Sequence, residues 1–267
     1  PDKSVRLDQE VKLEAFYPIS QFTAVFLSFK GITQSRFNID NDRVDRTTVE
    51  LARDETWIYF DRLWGTGFGL QMGNQNVTEV REWWWDKDLD AVRLYYNHGA
   101  VHFELASGKQ LAETTLNGLD PRENKIVRLM GMGSWMWRSK QRLEYYFLQQ
   151  WDQSFQEDIG TVVNRVNRDI YDDDIALFGA RAIGEIGLGD YGSLNYWADT
   201  AGVHGDETVY KYETINGGEA EVTAKHQNKV DGWAVDIGAF WTLPLKHEPT
   251  FTFSYAHGSG DDNPNDG

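Results

Sequence analysis

The sequence of 267 residues lacks cysteine, a long apolar run and an excess of basic residues, and each absence excludes a class of protein. Without cysteine there are no disulfides and no thiolate metal sites. No apolar run reaches the roughly 18 residues that a membrane-spanning helix needs. The net charge of −16 leaves no surplus of lysine and arginine for phosphates, which argues against nucleic acid as a partner.

Aromatic residues are abundant instead, and many of them recur with a period of two. Residues 233–241 alternate apolar with small or polar side chains, and residues 250–255 repeat the pattern after a turn that contains proline. The pattern predicts a hairpin with one apolar face. Trp233 and Trp241 lie on that face about 20 Å apart across a tilted strand, a spacing that suits the two aromatic girdles of an outer-membrane barrel. The core face of a soluble sandwich would show the same alternation.

Short turns alternate with long polar connections along the whole chain, and this rhythm favours the barrel. A transmembrane barrel has short periplasmic turns and long extracellular loops, whereas a sandwich does not sort its connections in this way. The predicted strand pairs are at about 5–16 and 21–31, 54–61 and 67–73, 89–96 and 100–106, 126–137 and 142–151, 175–186 and 193–200, and the hairpin at 233–255. The polar segments between pairs are 32–50, 74–88, 107–124, 152–173 and 201–231, with residues 17–20 as the first short turn and 36–48 as the first loop.

We therefore predict an all-β fold, an antiparallel transmembrane β-barrel with about twelve strands in this chain. Residues 1–267 form a single barrel domain on this reading. The first and last predicted strands would be bare edges, which lipid does not tolerate, so we expect the domain to be incomplete at both ends.

The alternation also predicts which charged side chains face the barrel interior. A charge facing lipid would cost about 2–4 kcal/mol at mid-membrane, so charged strand positions are assigned to the inner face. Acids and bases are mixed there, and each residue would serve either a structural salt-bridge ladder or contact with a cargo. The candidates are Arg6, Lys12, Arg93, Arg128, Arg142, Glu144, Arg181 and Asp236.

The stretch 73–92, GNQNVTEVREWWWDKDLDAV, resembles a loop-and-strand motif of the alginate export porins of Gram-negative outer membranes. The matching positions are Glu79, Trp84, Asp86, Leu89, Asp90 and Ala91. Further segments resemble the same family in the same order, namely VKLEAF at 11–16, DETWIYFD at 54–61, LNYWAD at 194–199 and YAHGSGDD at 255–262.

The resemblance implies a Gram-negative outer-membrane barrel of about eighteen strands, which exports anionic alginate through a basic constriction. It places a basic residue of the family at Lys12 and the acidic positions of the motif at Glu79 and Asp86. The family motif is rich in arginine where this chain has none at 74–78, and Arg81 is the candidate replacement. The implied partners are an anionic polysaccharide, outer-membrane lipid with lipopolysaccharide, and a periplasmic export scaffold.

Two further features have a functional and a simpler interpretation. Trp83, Trp84 and Trp85 could stack on sugar rings, or they pack an inward-folded loop or a rim girdle. The acidic runs at 172–174 and 261–262 could hold calcium in a loop, although solvated loop charge is the simpler interpretation. No other metal and no cofactor is expected.

The predicted function is an outer-membrane porin, with passive export of an anionic exopolysaccharide such as alginate and no catalysis. One alternative is a general or substrate-specific porin for small solutes. Another is a soluble carbohydrate-binding or carbohydrate-active β protein, including a glycoside hydrolase that uses a carboxylate pair. Glu55 with Asp61, or Glu82 with Asp86, would be such pairs, but they arise easily by chance in an acidic chain, so we predict that the protein is not an enzyme.

Overall fold

The computed structural model describes residues 4–38, 43–78, 86–111, 123–154, 157–165 and 171–260. These residues form thirteen strands with antiparallel pairing, which confirms the predicted all-β antiparallel fold. No helix within the described ranges is long and apolar enough to cross a membrane. Single 3₁₀ turns lie at Leu63–Gly65, Glu123–Lys125 and Gly189–Tyr191. The strands are β1 (Ser4–Ser20), β2 (Thr23–Asn38), β3 (Arg43–Phe60), β4 (Phe68–Thr78), β5 (Asp86–His98), β6 (Val101–Lys109), β7 (Ile126–Arg138), β8 (Gln141–Asp152), β9 (Val162–Asn164), β10 (Tyr171–Gly187), β11 (Ser193–Asn216), β12 (Glu219–Thr242) and β13 (Thr250–Gly258).

One compact unit comprises residues 1–93 and 108–124. Within it β1 pairs with β2, β2 with β3 and β3 with β4, each pair antiparallel. The turn between β1 and β2 has only two residues, so the register is fixed locally and Lys12 lies directly opposite Lys30. This unit therefore brings basic residues from two adjacent strands to the same level of the sheet.

A bulge in the first unit brings a third strand to that level. The register between β2 and β3 shifts between Leu27 and Phe29, so two residues of β3, Asp54 and Glu55, face the single residue Ser28. Such a bulge re-aims side chains locally, because the extra residue breaks the strict alternation of faces. The shift places Asp54 beside Ser28.

The other compact unit comprises residues 94–107 and 125–267. Here β7 pairs with β8, β8 with β10, and β10, β11, β12 and β13 follow as successive antiparallel neighbours. The short strand β9 pairs with β12 at Glu219–Glu221, beyond the part of β12 that meets β13. The second unit is thus a twisted sheet built mainly from hairpins that are adjacent in sequence.

The two faces of the second unit differ as the alternation predicts. Glu144, Arg181, Asp199 and Asp236 are register partners across β8, β10, β11 and β12, and all four are buried. Tyr145, whose side chain points to the opposite face, is exposed. Charged groups thus share the sheltered face and apolar groups the open one, the reverse of a water-soluble sheet.

Two predicted boundaries in the first unit are wrong. Residues 17–20 are the end of β1 and not a turn, because a proline is tolerated in an edge strand. The segment 36–48 was predicted to be a loop, yet β2 and β3 stay paired out to Asn38 and Arg43. Polar strand ends with water on both sides need no apolar alternation, so the hydrophobic pattern does not report them.

The predicted polar segment 201–231 is also mainly strand. β11 and β12 continue as one hairpin to Asn216 and Glu219 and are joined by only two residues. At its far end Tyr210 and Val222 form a small buried cluster against Val163 of β9. This local apolar cluster gives the extension a core of its own.

Candidate functional site

A cluster of two lysines and one aspartate lies on the first unit. Lys12 Nζ lies 2.8 Å from Asp54 Oδ2, and Lys30 Nζ lies 2.7 Å from Asp54 Oδ1. Ser28 Oγ donates a further hydrogen bond of 2.7 Å to Asp54 Oδ2. Lys12 also bonds Glu14 on its own strand at 2.9 Å. One carboxylate therefore holds two ammonium groups that would otherwise repel each other.

The members of this lysine cluster differ in exposure. The side chains of Lys12 and Lys30 are 36% and 29% exposed, whereas that of Asp54 is 5% exposed. The carboxylate is thus covered by the groups that it binds. A molecule that approached Asp54 would meet the ammonium groups first, whereas Glu14 at the edge of the cluster is itself half exposed.

A second charged cluster lies on the second unit and is centred on Arg181. Its Nε lies 2.5 Å from Asp199 Oδ2, and its Nη1 lies 3.4 Å from Glu144 Oε2. Arg142, two residues before Glu144 on β8, places its Nε 2.7 Å from Glu144 Oε1. Tyr146 completes the cluster by donating a hydrogen bond of 2.7 Å from its hydroxyl to Asp199 Oδ1. Buried charges are stabilised by such partners, because an unpaired one would be costly.

Exposure in this arginine cluster follows the same rule. Arg181, Glu144 and Asp199 are all at most 3% exposed, whereas the Arg142 side chain is 38% exposed. The accessible group is again a cation. The arginine cluster is therefore a rigid buried network with one guanidinium at its surface.

The structure brings together several of the predicted interior residues and separates others. Arg142, Glu144 and Arg181 belong to one network, and Asp236 is the register partner of Asp199 beside it. Lys12 belongs to the lysine cluster of the other unit.

The remaining predicted arginines lie outside the two clusters. Arg6 pairs with Asp8 at 2.8 Å on an exposed part of β1. Arg93 donates to the carbonyl of Asn76 at 3.4 Å. Arg128 is buried, and its Nε donates a hydrogen bond of 2.8 Å to Gln150 Oε1. Arg128 therefore links β7 to β8 inside the sheet and is not exposed at the sheet surface.

Several predicted residues cannot be placed. Glu79, Arg81, Trp83, Trp84 and Trp85 lie outside the described residues. Asp86 is the first residue of β5, and its side chain is likewise outside the described part. Their roles remain predictions.

The acidic run at 172–174 lies in β10, and two of its side chains accept hydrogen bonds from neighbouring segments. Asp172 accepts hydrogen bonds from Ser154 Oγ and the Tyr210 hydroxyl, and Asp174 accepts one from the backbone of Asp152. The second acidic run, 261–262, lies outside the described residues. In the described ranges no three His, Asp or Glu side chains are grouped so that they could hold a metal ion.

Sequence reasoning missed Lys30, Asp54, Asp199 and Tyr146. Asp54 and Asp199 lie in two of the segments that carry the family resemblance, DETWIYFD and LNYWAD, so a signal was present there. Lys30 could have been found from register, because a two-residue turn after Ser20 sets it opposite Lys12. Alternation places Tyr146 on the face of Arg142 and Glu144, but residue type alone does not distinguish it from the neighbouring Tyr145 on the other face.

The comparisons with known proteins support the same interpretation as the geometry. The model of the alginate export family matches residues 28–267, which is most of the chain and includes both charged clusters except for Lys12 and Glu14. No curated protein matches the chain. A match of this extent identifies the protein: the chain belongs to the alginate export family.

Proposed function

We propose that this chain exports an anionic exopolysaccharide, with alginate as the preferred cargo, by passive passage along a charged wall. Members of the alginate export family are outer-membrane β-barrel porins that transport polysaccharide, and this all-β antiparallel chain is one of them. The family comprises transport channels, which do not need catalytic groups. The soluble alternatives find no support in this family.

One observation carries the proposal: in each cluster a buried carboxylate lies beneath exposed cations. Lys12 and Lys30 cover Asp54, and Arg142 lies over the buried Glu144. A polyanion close to either cluster would therefore contact an ammonium or guanidinium group before the buried carboxylate, while Glu14, which is half exposed, lies at the edge of the lysine cluster. Positive groups at such a surface raise the local concentration of an anionic ligand.

Because these cations are already paired, they favour transport of an anionic polymer and not its tight binding. Each exposed cation already has a carboxylate partner, so a sugar carboxylate exchanges one ion pair for another. Conduction requires sites that are attractive enough to enter and weak enough to leave. A cluster of this kind gives a polymer a weak contact that it can leave again.

Single-channel recording in planar bilayers tests the proposal. The wild-type chain should prefer anions, and polymannuronate added on one side should block its current. Lys12→Glu and Arg142→Glu should each reduce both anion preference and block, since each replaces an exposed cation by an acid. Lys246→Glu is the matched control, because Lys246 is exposed in the turn at 243–249 between β12 and β13. Equal effects of the control and the two cluster variants would refute the charged-wall mechanism.

A small-solute porin is the second candidate, and the charge count favours it. Each cluster holds as many carboxylates as cations. The pairs are Lys12 and Lys30 with Asp54 and Glu14, and Arg142 and Arg181 with Glu144 and Asp199. Clusters of zero total charge predict weak ion selectivity, so the absence of anion preference together with the absence of polymer block would support this alternative.

The proposed partners follow from the two faces. The exposed apolar face, with Tyr145, Phe178 and Trp233, would contact outer-membrane lipid and lipopolysaccharide. A periplasmic export scaffold would deliver polymer at the rim of short turns. Copurification after cross-linking at Lys246 tests for such a scaffold, and its absence from the cross-linked material would argue against one.

A further inference from the structure

A groove crosses the exposed apolar face of the second unit, over β10, β11 and β12. Its volume is about 1080 Å³, and it is an open groove and not an enclosed cavity. Small residues form its floor, since the ring of Phe178 lies against Gly202 and a Cβ there would meet it at 3.0 Å. The floor and wall side chains are Ala180, Thr200, Gly202, Tyr145, Phe178 and Trp233.

The walls of this groove are aromatic and open to the surroundings. Tyr145, Phe178 and Trp233 are 63%, 55% and 53% exposed. Exposed aromatic walls around a floor of small residues are the shape that accepts a flexible apolar chain. On a membrane barrel this face borders lipid, so the expected occupant is an acyl chain.

Two tryptophans on the same face show which leaflet of the outer membrane the groove faces. Trp241 lies at the short turn between β10 and β11, where its Nε1 donates a hydrogen bond of 2.7 Å to the carbonyl of Tyr191. Trp233 lies on the same face eight residues away, at the other end of the apolar band. The connection near Trp241 is short, whereas beyond Trp233 the strands β11 and β12 continue as a long polar extension. Such barrels have short connections on the periplasmic side and long ones outside. The groove beside Trp233 therefore lies at the outer leaflet.

Charged side chains border the groove on its outward side. His204 and Asp231 are register partners joined by a hydrogen bond there, and Asp206 and Lys229 form an ion pair in the next row outward. All four side chains are exposed. The two strands thus present a nitrogen-bearing side chain beside a carboxylate in each row, with the order reversed from one row to the next.

We propose that this groove binds lipopolysaccharide, with one acyl chain between the aromatic walls and the phosphorylated sugar head against the two charged rows. Lys229 would bind phosphate through charge-assisted hydrogen bonds, and a ring N–H of His204 would donate a further hydrogen bond to it. Asp206 and Asp231 would accept hydrogen bonds from sugar hydroxyls. The site is on the lipid face and is independent of the cargo.

Lipid titration of the full-length chain in detergent, followed by native mass spectrometry, tests the acyl-chain site. The probes are purified lipopolysaccharide of a single short chemotype and phosphatidylethanolamine. Thr200→Trp fills the floor and should weaken lipopolysaccharide binding about tenfold. Ala15→Trp adds the same side chain to the exposed face of β1 and should change nothing. Equal affinities for the two variants would overturn the proposal.

A second pair of variants tests the headgroup rows. The double change His204→Gln with Lys229→Gln should weaken binding of lipopolysaccharide and leave phosphatidylethanolamine unaffected. Lys246→Gln removes one cation from the turn between β12 and β13 and should leave both affinities unchanged. If the wild-type protein bound phosphatidylethanolamine as tightly as lipopolysaccharide, the groove would be a surface for bulk lipid. The proposed lipopolysaccharide site would then be wrong. Unchanged circular dichroism of each variant confirms that the chain is folded.

Discussion

Tyr146 lies across Gly179, its register partner on β10, and its hydroxyl reaches Asp199 on the strand beyond. A Cβ at position 179 would overlap the tyrosine ring. The absent side chain lets one aromatic residue span two strand boundaries. Because Asp199 also holds Arg181, the ring and the buried ion pair depend on each other.

Gly179→Ala should therefore destabilise the chain. Overpacking of a close contact costs about 1–3 kcal/mol, since either the ring or the backbone must move. The free energy of unfolding in guanidinium, measured in lipid or detergent, gives the value. Gly187→Ala is the control, because nothing lies within 4 Å of a Cβ placed there. Equal stability of the two variants would mean that the ring has another low-energy position.

Tyr146→Phe keeps the ring and removes its bond to Asp199. A hydrogen bond to a charged group contributes about 1.5–3 kcal/mol, so we expect a loss in this range. Tyr145→Phe removes a hydroxyl from the exposed face of the same strand and should cost much less. The same unfolding measurement compares the two neighbours, and a loss confined to Tyr145→Phe would contradict the assigned faces.

Glu144→Gln leaves Arg181 buried with one carboxylate fewer. A buried charge left without any partner costs about 3–5 kcal/mol. Because Arg181 keeps Asp199, we expect a loss below this range. Glu185→Gln breaks the more exposed pair with Lys140 and should cost about 1 kcal/mol or less. Urea midpoints of both variants decide whether the arginine cluster is structural, and similar midpoints would show that it is not.

The interior pattern was predictable from sequence, but the contacts were not. Alternation alone assigned Arg142, Glu144 and Arg181 to one face, because the period of two is a local property. The partnership of Lys12 with Asp54 depends on two registers and a bulge, which join residues 42 positions apart. A bulge breaks the alternation, so the face on which its side chains lie cannot be predicted from the period of two.

The polar strand extensions escaped prediction for a different reason. The ends of β2, β3, β11 and β12 need no alternation, since water solvates both of their faces. The backbone ladder holds them, together with exposed polar pairs such as Asp206 with Lys229 and, in the second unit, the cluster around Tyr210. Hydropathy therefore identified where apolar strand faces occur and not where the strands end.

Asp54→Asn should make the channel more selective for anions. The change removes a buried negative charge between Lys12 and Lys30 and leaves their ammonium groups less compensated. Reversal potentials in a salt gradient give the selectivity. Asp8→Asn removes a carboxylate from an exposed pair with Arg6 on the same face of β1 and serves as the control. Anion selectivity in Asp54→Asn equal to that of the wild type and of Asp8→Asn would place the lysine cluster away from the conducting path.

The hairpin of β11 and β12 has register shifts at Lys211–Tyr212 and at Thr214–Asn216, close to its tip. A slip by one residue would turn every side chain of a strand to the other face. These irregularities resist such a slip, since only one alignment accommodates them. The sequence at the tip thus determines which side chains border lipid many residues below. An insertion of one residue near Tyr212 would alter the membrane-facing surface without changing any residue in it.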